Sequence, residues 1–269
     1  MIRLEFFENP RFSAASGAIT LVFFALFGSV FLLTQYLQFV RGYTPLQAGI
    51  RLMPVGVLIV AAPLAARAAE RFGTKVVVAA GLVTVAVSLA LLSGLDTTTD
   101  YGRIALALAI LGGGMGTTMA PATESIMGSL PLGKAGVGSA MNDTTRQVGG
   151  ALGVAVLGSV LSSAYASSIA PAVGGLPASA AAAASDSIGA ATAVAAQIGG
   201  AAGQALLAAA DRAFVDGLGI AVLIASVVAG AGALLVILFL PSRAREDVTS
   251  ASAQDRVVRA SADREERVS

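Results

Sequence analysis

The chain contains no cysteine, no histidine and no tryptophan. Without cysteine there is no disulfide framework, thiolate metal site or thiol nucleophile, and without histidine the commonest general base and transition-metal ligand are missing. No metal and no cofactor are expected, and most enzyme chemistry is excluded. Charge is scarce as well. Of 269 residues only 12% are Asp, Glu, Lys or Arg, about half the share of a soluble domain, while 56% are hydrophobic and the mean hydropathy is +0.81. That balance implies an integral membrane protein. The net charge of +1 leaves no basic surplus to neutralise phosphates, so no nucleic-acid partner is expected.

The few charges divide the chain into spans. A membrane helix needs about 20 largely apolar residues, and a charge at the bilayer centre costs about 3 kcal/mol on insertion scales. Reading from charge to charge predicts six spans, at about 12–38, 44–67, 76–95, 104–125, 138–164 and 215–240. The second opens on Thr44-Pro45-Leu46-Gln47, which has the pattern of a capping box, and Pro54 and Pro63 predict bends in it. The stretch 187–210 is long enough to cross, but it is mostly Ala and Gly, which contribute little transfer free energy. Six spans put both termini on one side, together with 13 of the 17 basic residues. Basic residues favour the cytoplasm. Both termini are therefore expected in the cytoplasm, with 165–212 as an outer Ala-rich loop carrying one or two helices. Residues 1–11 read as a cytoplasmic N-terminal segment, without the basic start of a secretory signal. Residues 243–269, with six Arg and six acidic residues and no apolar periodicity, read as a disordered cytoplasmic tail.

Small and polar residues inside the spans suggest two kinds of role. Gly112 and Gly116, and Gly149 and Gly153, recur at the spacing that lets membrane helices approach closely, so they mark packing seams; Gly112 to Gly116 followed by Pro121 is also the best hinge candidate. Phe23, Phe27 and Phe31 share one face of the first span, with Gln35 one turn beyond. That stripe either lines a site for a flat lipophilic ligand, oriented by one amide, or faces lipid or core. Glu124 is either a protonatable carboxylate or a capped boundary residue. Asp143 and Arg146, three apart at the start of the fifth span, suggest a gate latch or a helix cap. Arg51, near the outer end of its span, is expected to snorkel to the headgroups.

The segments RFSAASGAITLVFFALFG, GYTPLQAGIRLMPVG, PLAARAAERFGTK, APATESIMGSLP and AGVGSAMNDTTRQVGGALGVAVLGSV, in this order, resemble the C-terminal six-helix half of drug:proton antiporters in the 14-spanner, multidrug-resistance branch of the major facilitator superfamily. The resemblance covers about residues 4–243. PLAARAAERFGTK is similar to the superfamily's cytoplasmic loop signature, with Glu70 where an Asp is usual, then Arg71, Gly73 and Lys75. The fold it implies is an all-α integral membrane protein, a six-transmembrane-helix bundle resembling one half of the major facilitator fold. Complete members add an N-terminal six-helix half that carries an acid commonly assigned to proton coupling. Here the chain begins almost directly before the seventh core helix.

The resemblance thus implies half of a plasma-membrane multidrug exporter driven by proton entry, pairing with an N-terminal half or with itself in parallel. Its other partners would be the lipid bilayer, a lipophilic small-molecule substrate and the proton. In that reading Phe27, Phe31, Gln35, Met115 and Met119 line the substrate path and Glu124 is the proton-coupling candidate. Glu70, Arg71, Gly73, Lys75, Asp143 and Arg146 form the cytoplasmic gate. The alternative is a truncated, transport-inactive membrane protein acting as a scaffold through its small-residue seams. An intramembrane hydrolase is poorly supported, since Lys75 and Lys134 both fall in loops and no buried Ser-Lys pair is evident.

Overall fold

A computed structural model of the chain describes residues 10–129 and 135–240. The first nine residues, Lys134 and the tail 243–269 lie outside the described residues. Every described secondary-structure element is helical, and six helical stretches are long and apolar enough to cross a membrane. The chain is a multi-pass all-α membrane protein.

The first span is α1 (Pro10–Gln35), continued by a π-helical segment, Tyr36–Val40. The second is broken into α2 (Pro45–Arg51), a 3₁₀ segment at Met53–Val57 that holds Pro54, and α3 (Leu58–Phe72). At its start the Gln47 amide N–H donates to Thr44 Oγ1 at 3.3 Å, and the Thr44 N–H donates to Gln47 Oε1 at 3.2 Å. This is the reciprocal box its sequence predicts. Next come α4 (Thr74–Ser93), α5 (Tyr101–Gly128) and α6 (Ala135–Val173). Two short helices, α7 (Ala178–Asp186) and α8 (Ile188–Ile198), lead into α9 (Gly200–Phe239). The Ala-rich region expected as an outer loop is thus helical almost throughout, shared between the end of α6, α7, α8 and the start of α9. The 40 residues of α9 span about 60 Å at about 1.5 Å per residue, twice the hydrocarbon thickness of about 30 Å. Its first turns therefore stand outside the membrane core.

The helices pack in two layers, with α6, α1, α5 and α3 side by side and α9 and α4 behind them. Glycines set the spacing. A Cβ on Gly149 would collide with the Thr20 carbonyl, and one on Gly153 with that of Phe24, while a Cβ on Gly28 would sit 2.9 Å from the Gly153 oxygen. The α1 and α6 backbones are therefore nearly in contact, which is how membrane helices gain dispersion energy without a hydrophobic driving force. Contacts advance together along both helices, from Thr20 with Gly149 to Phe31 with Gly158, so α1 and α6 run in the same direction. That is what the three crossings between them require. On α5, Gly112 and Gly116 lie against the Val55 and Leu58 carbonyls of the second span, and Gly114 lies against Gly81 of α4. Hydroxyls add ties between helices. Ser88 donates to the Ala107 carbonyl at 2.6 Å and Ser226 to that of Ala86 at 2.7 Å.

Candidate functional site

The face of the α6–α1–α5–α3 layer turned away from α9 and α4 carries the exposed Phe stripe of α1. Phe27 is 48% and Phe31 41% exposed, whereas Val22, Ala25, Leu32 and Leu33 of the same helix are buried. Phe23 and Phe27 stack with ring centroids 5.9 Å apart, and the Arg146 guanidinium lies 5.4 Å from the Phe23 centroid. The rings rest on α6: a Cβ on Gly150 would meet the Phe27 ring at 3.1 Å, and one on Gly158 the Phe31 ring at 3.6 Å. Glycine at both positions leaves room for flat aromatic groups to lie on the helix.

Further along toward the C-terminal end of α1, α1 and α6 part to form a cavity of about 280 Å³. Phe31 and Gln35 form its α1 wall, and Gly158, Ser159, Ser162 and Tyr165 its α6 wall. The α7–α8 junction, Asp186 to Ile188, closes another side with Phe214 of α9. Apolar and aromatic surface thus surrounds a few polar groups, the usual chemistry of a small-molecule site. Two of the residues expected to line a substrate path, Phe31 and Gln35, meet here, and Phe27 lies one turn away. Met115 does not join them. It is 1% exposed, packed in the core because α5 turns Gly112 and Gly116 to the second span and Gly114 to α4. Met119 is half-buried against that core.

The open side of α5 carries Gly113, Thr117, Ala120 and the exposed Glu124, spaced at helical intervals. Thr117 donates back to the Gly113 carbonyl at 2.7 Å, so the helix itself satisfies its hydroxyl. Pro121 is buried within the same helix. The proposed gate residues fall into two groups on helices that share no extensive packing, the α3–α4 turn and the start of α6. Glu70 and Arg71 are exposed, the Arg71 guanidinium lies 5.5 Å from the Phe72 ring centroid, and Lys75 is half-buried. Gly73 makes the turn at φ +88°, a conformation that a side chain strains. Among the described residues no salt bridge joins Asp143 to Arg146. Asp143 is exposed, whereas α1–α6 packing carries Arg146 over Phe23 and leaves its Nε buried without a hydrogen-bond partner.

The helix ends around Tyr43 and Tyr101 hold a cluster that the sequence does not reveal. The Arg51 guanidinium sits 3.8 Å from the Tyr43 ring centroid and 5.6 Å from that of Tyr101. Tyr101 also donates to the Arg51 carbonyl at 3.2 Å. Beside this clamp Arg41 donates to the Thr97 carbonyl at 2.9 Å and Tyr36 to that of Asp96 at 2.7 Å. A hydrogen bond from Arg41 is the main cause holding the Tyr43 phenol below its ordinary pKa. Hydrogen bonds from the Thr98 side chain and backbone likewise hold the Asp96 carboxyl below its own. Tyr43 and Tyr101 are too far apart in the sequence for periodicity to pair them. Replacing Arg51 with Ala is expected to cost about 1–2 kcal/mol through lost cation–π contacts. Lys at that position should retain part of it, because its ammonium still attracts the rings. Thermal unfolding of the two variants checks this, and equal losses would contradict the clamp.

A family model described as the Major Facilitator Superfamily matches residues 2–154, more than half of the chain. The chain belongs to the Major Facilitator Superfamily. Membership in this transporter superfamily accounts for the six apolar helices and marks the chain as a member of a transport family, not an enzyme. The chain is 32% identical over 237 residues to the multidrug efflux pump LfrA of Mycolicibacterium smegmatis, covering 88% of this chain and 47% of that protein. It is 34% identical over 164 residues to the tetracenomycin C resistance and export protein of Streptomyces glaucescens, which is 61% of this chain and 30% of that one. The methyl viologen resistance protein SmvA of Salmonella typhimurium matches over 204 residues at 34% identity, covering 75% of this chain and 40% of the relative. The chain thus spans less than half the length of these curated relatives.

Proposed function

We propose that these six helices are one half of a proton-coupled exporter of lipophilic small molecules, of the 14-spanner multidrug antiporter type. The other half is an N-terminal six-helix unit or a second copy in parallel orientation, and both termini lie on the cytoplasmic side of the plasma membrane. What carries the reading is the exposed Phe27–Phe31 stripe leading into the α1–α6 cavity on the side that no helix of the bundle covers. An aromatic, largely apolar wall with one amide suits flat lipophilic molecules, and efflux and resistance proteins are what the chain is similar to. In superfamily transporters the substrate site lies at the repeat interface near mid-membrane, so one half supplies one wall.

In this reading Phe27, Phe31 and Gln35 hold the substrate. Glu124, on the open side of α5, exchanges a proton with the path. Glu70, Arg71, Gly73, Lys75, Asp143 and Arg146 lie at the cytoplasmic end, where closing against the second half seals the inner side. The driving force is proton binding that shifts the population between two openings. Efflux of a lipophilic dye from cells expressing the chain alone, and with an N-terminal half of the same family, tests the proposal. Efflux is expected only when two halves face each other. Its absence in every arrangement would overturn the transport reading in favour of a scaffold role.

A further inference from the structure

The start of α9 carries a carboxylate that none of the roles above uses. Asp211 lies in the part of α9 that stands beyond the membrane core, 28 residues before Phe239 and so about 42 Å from that end at about 1.5 Å per residue. Its Oδ1 is buried and has no hydrogen-bond partner. Across the α6–α9 contact, where a Cβ on Gly217 would meet Leu161 and Ala164, stands Tyr165, which is 2% exposed and donates to the Ala184 carbonyl at 3.0 Å. Tyr165 in turn lines the α1–α6 cavity, as does Phe214, one turn along α9 from Asp211.

Among the described residues no salt bridge compensates this carboxylate. On its own helix the Arg212 Nε folds back to the Ala208 carbonyl at 3.1 Å, and Asp216 is exposed beside Ser93 and Leu95. From α6 the facing titratable group is Tyr165; α8 has no titratable side chain, and α7 has only Asp186, which lines the cavity. The titratable residues of α1 and α4, Arg11 and Lys75, sit at the opposite ends of those helices, and Tyr36 of the π-helical segment is bonded to Asp96. A carboxylate oxygen withdrawn from water without a donor is costly as an anion and is relieved by binding a proton.

We propose that Asp211 is a proton-exchanging site at the outer end of the bundle, and that Tyr165 conveys its charge state to the α1–α6 cavity. The proton entering an exporter from outside would meet this group first. That coupling role rests on the exporter reading, whereas the proton site itself does not. The mechanism requires only the transfer of one proton from water to a carboxylate oxygen and back.

Infrared difference spectra of the full chain in vesicles, recorded across a pH titration, test this directly. A protonated-carboxyl C=O band that appears and disappears across the titration is expected, absent in Asp211→Asn and shifted in Asp211→Glu. Because the chain has four tyrosines and no tryptophan, tyrosine emission is readable without interference. A step in that emission should accompany the band and be lost in Tyr165→Phe. Circular dichroism confirms that each variant remains helical, and Asp211→Glu serves if Asp211→Asn does not fold. Absence of the band from the wild type, or its persistence unshifted in both Asp211 variants, overturns the proposal and leaves the exporter reading intact. The band present in a chain that never transports does the reverse.

Discussion

Replacing Gly112 with Ala lowers the stability of the bundle by about 1–3 kcal/mol, while the same change at neighbouring Gly113 raises it by up to about 1 kcal/mol. The two glycines differ only in what they face. A Cβ on Gly112 runs into the Val55 carbonyl, where the second span is held by its 3₁₀ break, and the obstacle is backbone that no rotamer change can move. A Cβ on Gly113 meets nothing within 4 Å, so alanine there contributes its better helix propensity without a clash. Thermal unfolding in detergent separates the variants, and the same sign for both would show that this seam is not closely packed. Gly149 and Gly153 should behave like Gly112, because each meets a carbonyl of α1.

The second large effect is on ligand binding. Phe31→Ala is expected to weaken binding of a lipophilic fluorescent dye to the chain in vesicles about tenfold, or about 1.4 kcal/mol, the order of an aromatic contact plus its buried area. Phe31 combines a ring resting on Gly158 with a place in the cavity wall, so its loss opens both. Gln35→Ala should weaken dyes with a hydrogen-bonding group by a smaller factor, since one hydrogen bond contributes about 0.5–1.5 kcal/mol. Leu238, exposed near the end of α9, is the control, because its removal takes away exposed apolar surface far from the cavity. Equal losses for Phe31→Ala and Leu238→Ala would mean that the dye partitions into lipid and does not bind the α1–α6 wall.

Much of this architecture is readable from charge. Arg41, Lys75, Asp96 and Arg103 bound the apolar stretches because a charge in hydrocarbon is expensive, and six long apolar helices follow. Local signals are equally legible: the Thr44–Gln47 box needs only four neighbouring residues, and the shared face of Phe27 and Phe31 needs only helical periodicity. The Ala-rich region between the fifth and sixth spans is harder to read. Alanine and glycine favour neither water nor lipid strongly, so nothing in composition separates the end of α6 from α7 or fixes the start of α9 at Gly200. Contacts between distant residues are also hidden. Arg146 is three residues from Asp143, yet it lies over Phe23, because the glycine seam between α1 and α6 brings that ring within reach. Tyr43, Arg51 and Tyr101 meet only because α2 folds onto the start of α5. Periodicity could not place Met115 either, since it says which residues share a face and not which face is open.

Several relatives are named for efflux or resistance, and this chain corresponds to 30–47% of their lengths in the three cited above. If the six helices act as proposed, their one-sided aromatic wall becomes a transport path only when a second half faces it. Purified chain reconstituted in vesicles, alone and with an N-terminal six-helix half, measures this most directly when dye movement is followed under an imposed pH gradient. Gradient-dependent transport with two halves, its collapse when the gradient is dissipated, and a strong reduction in Phe31→Ala are expected. Transport indifferent to the pH gradient, or none with any second half while the dye still binds, would contradict the proposal.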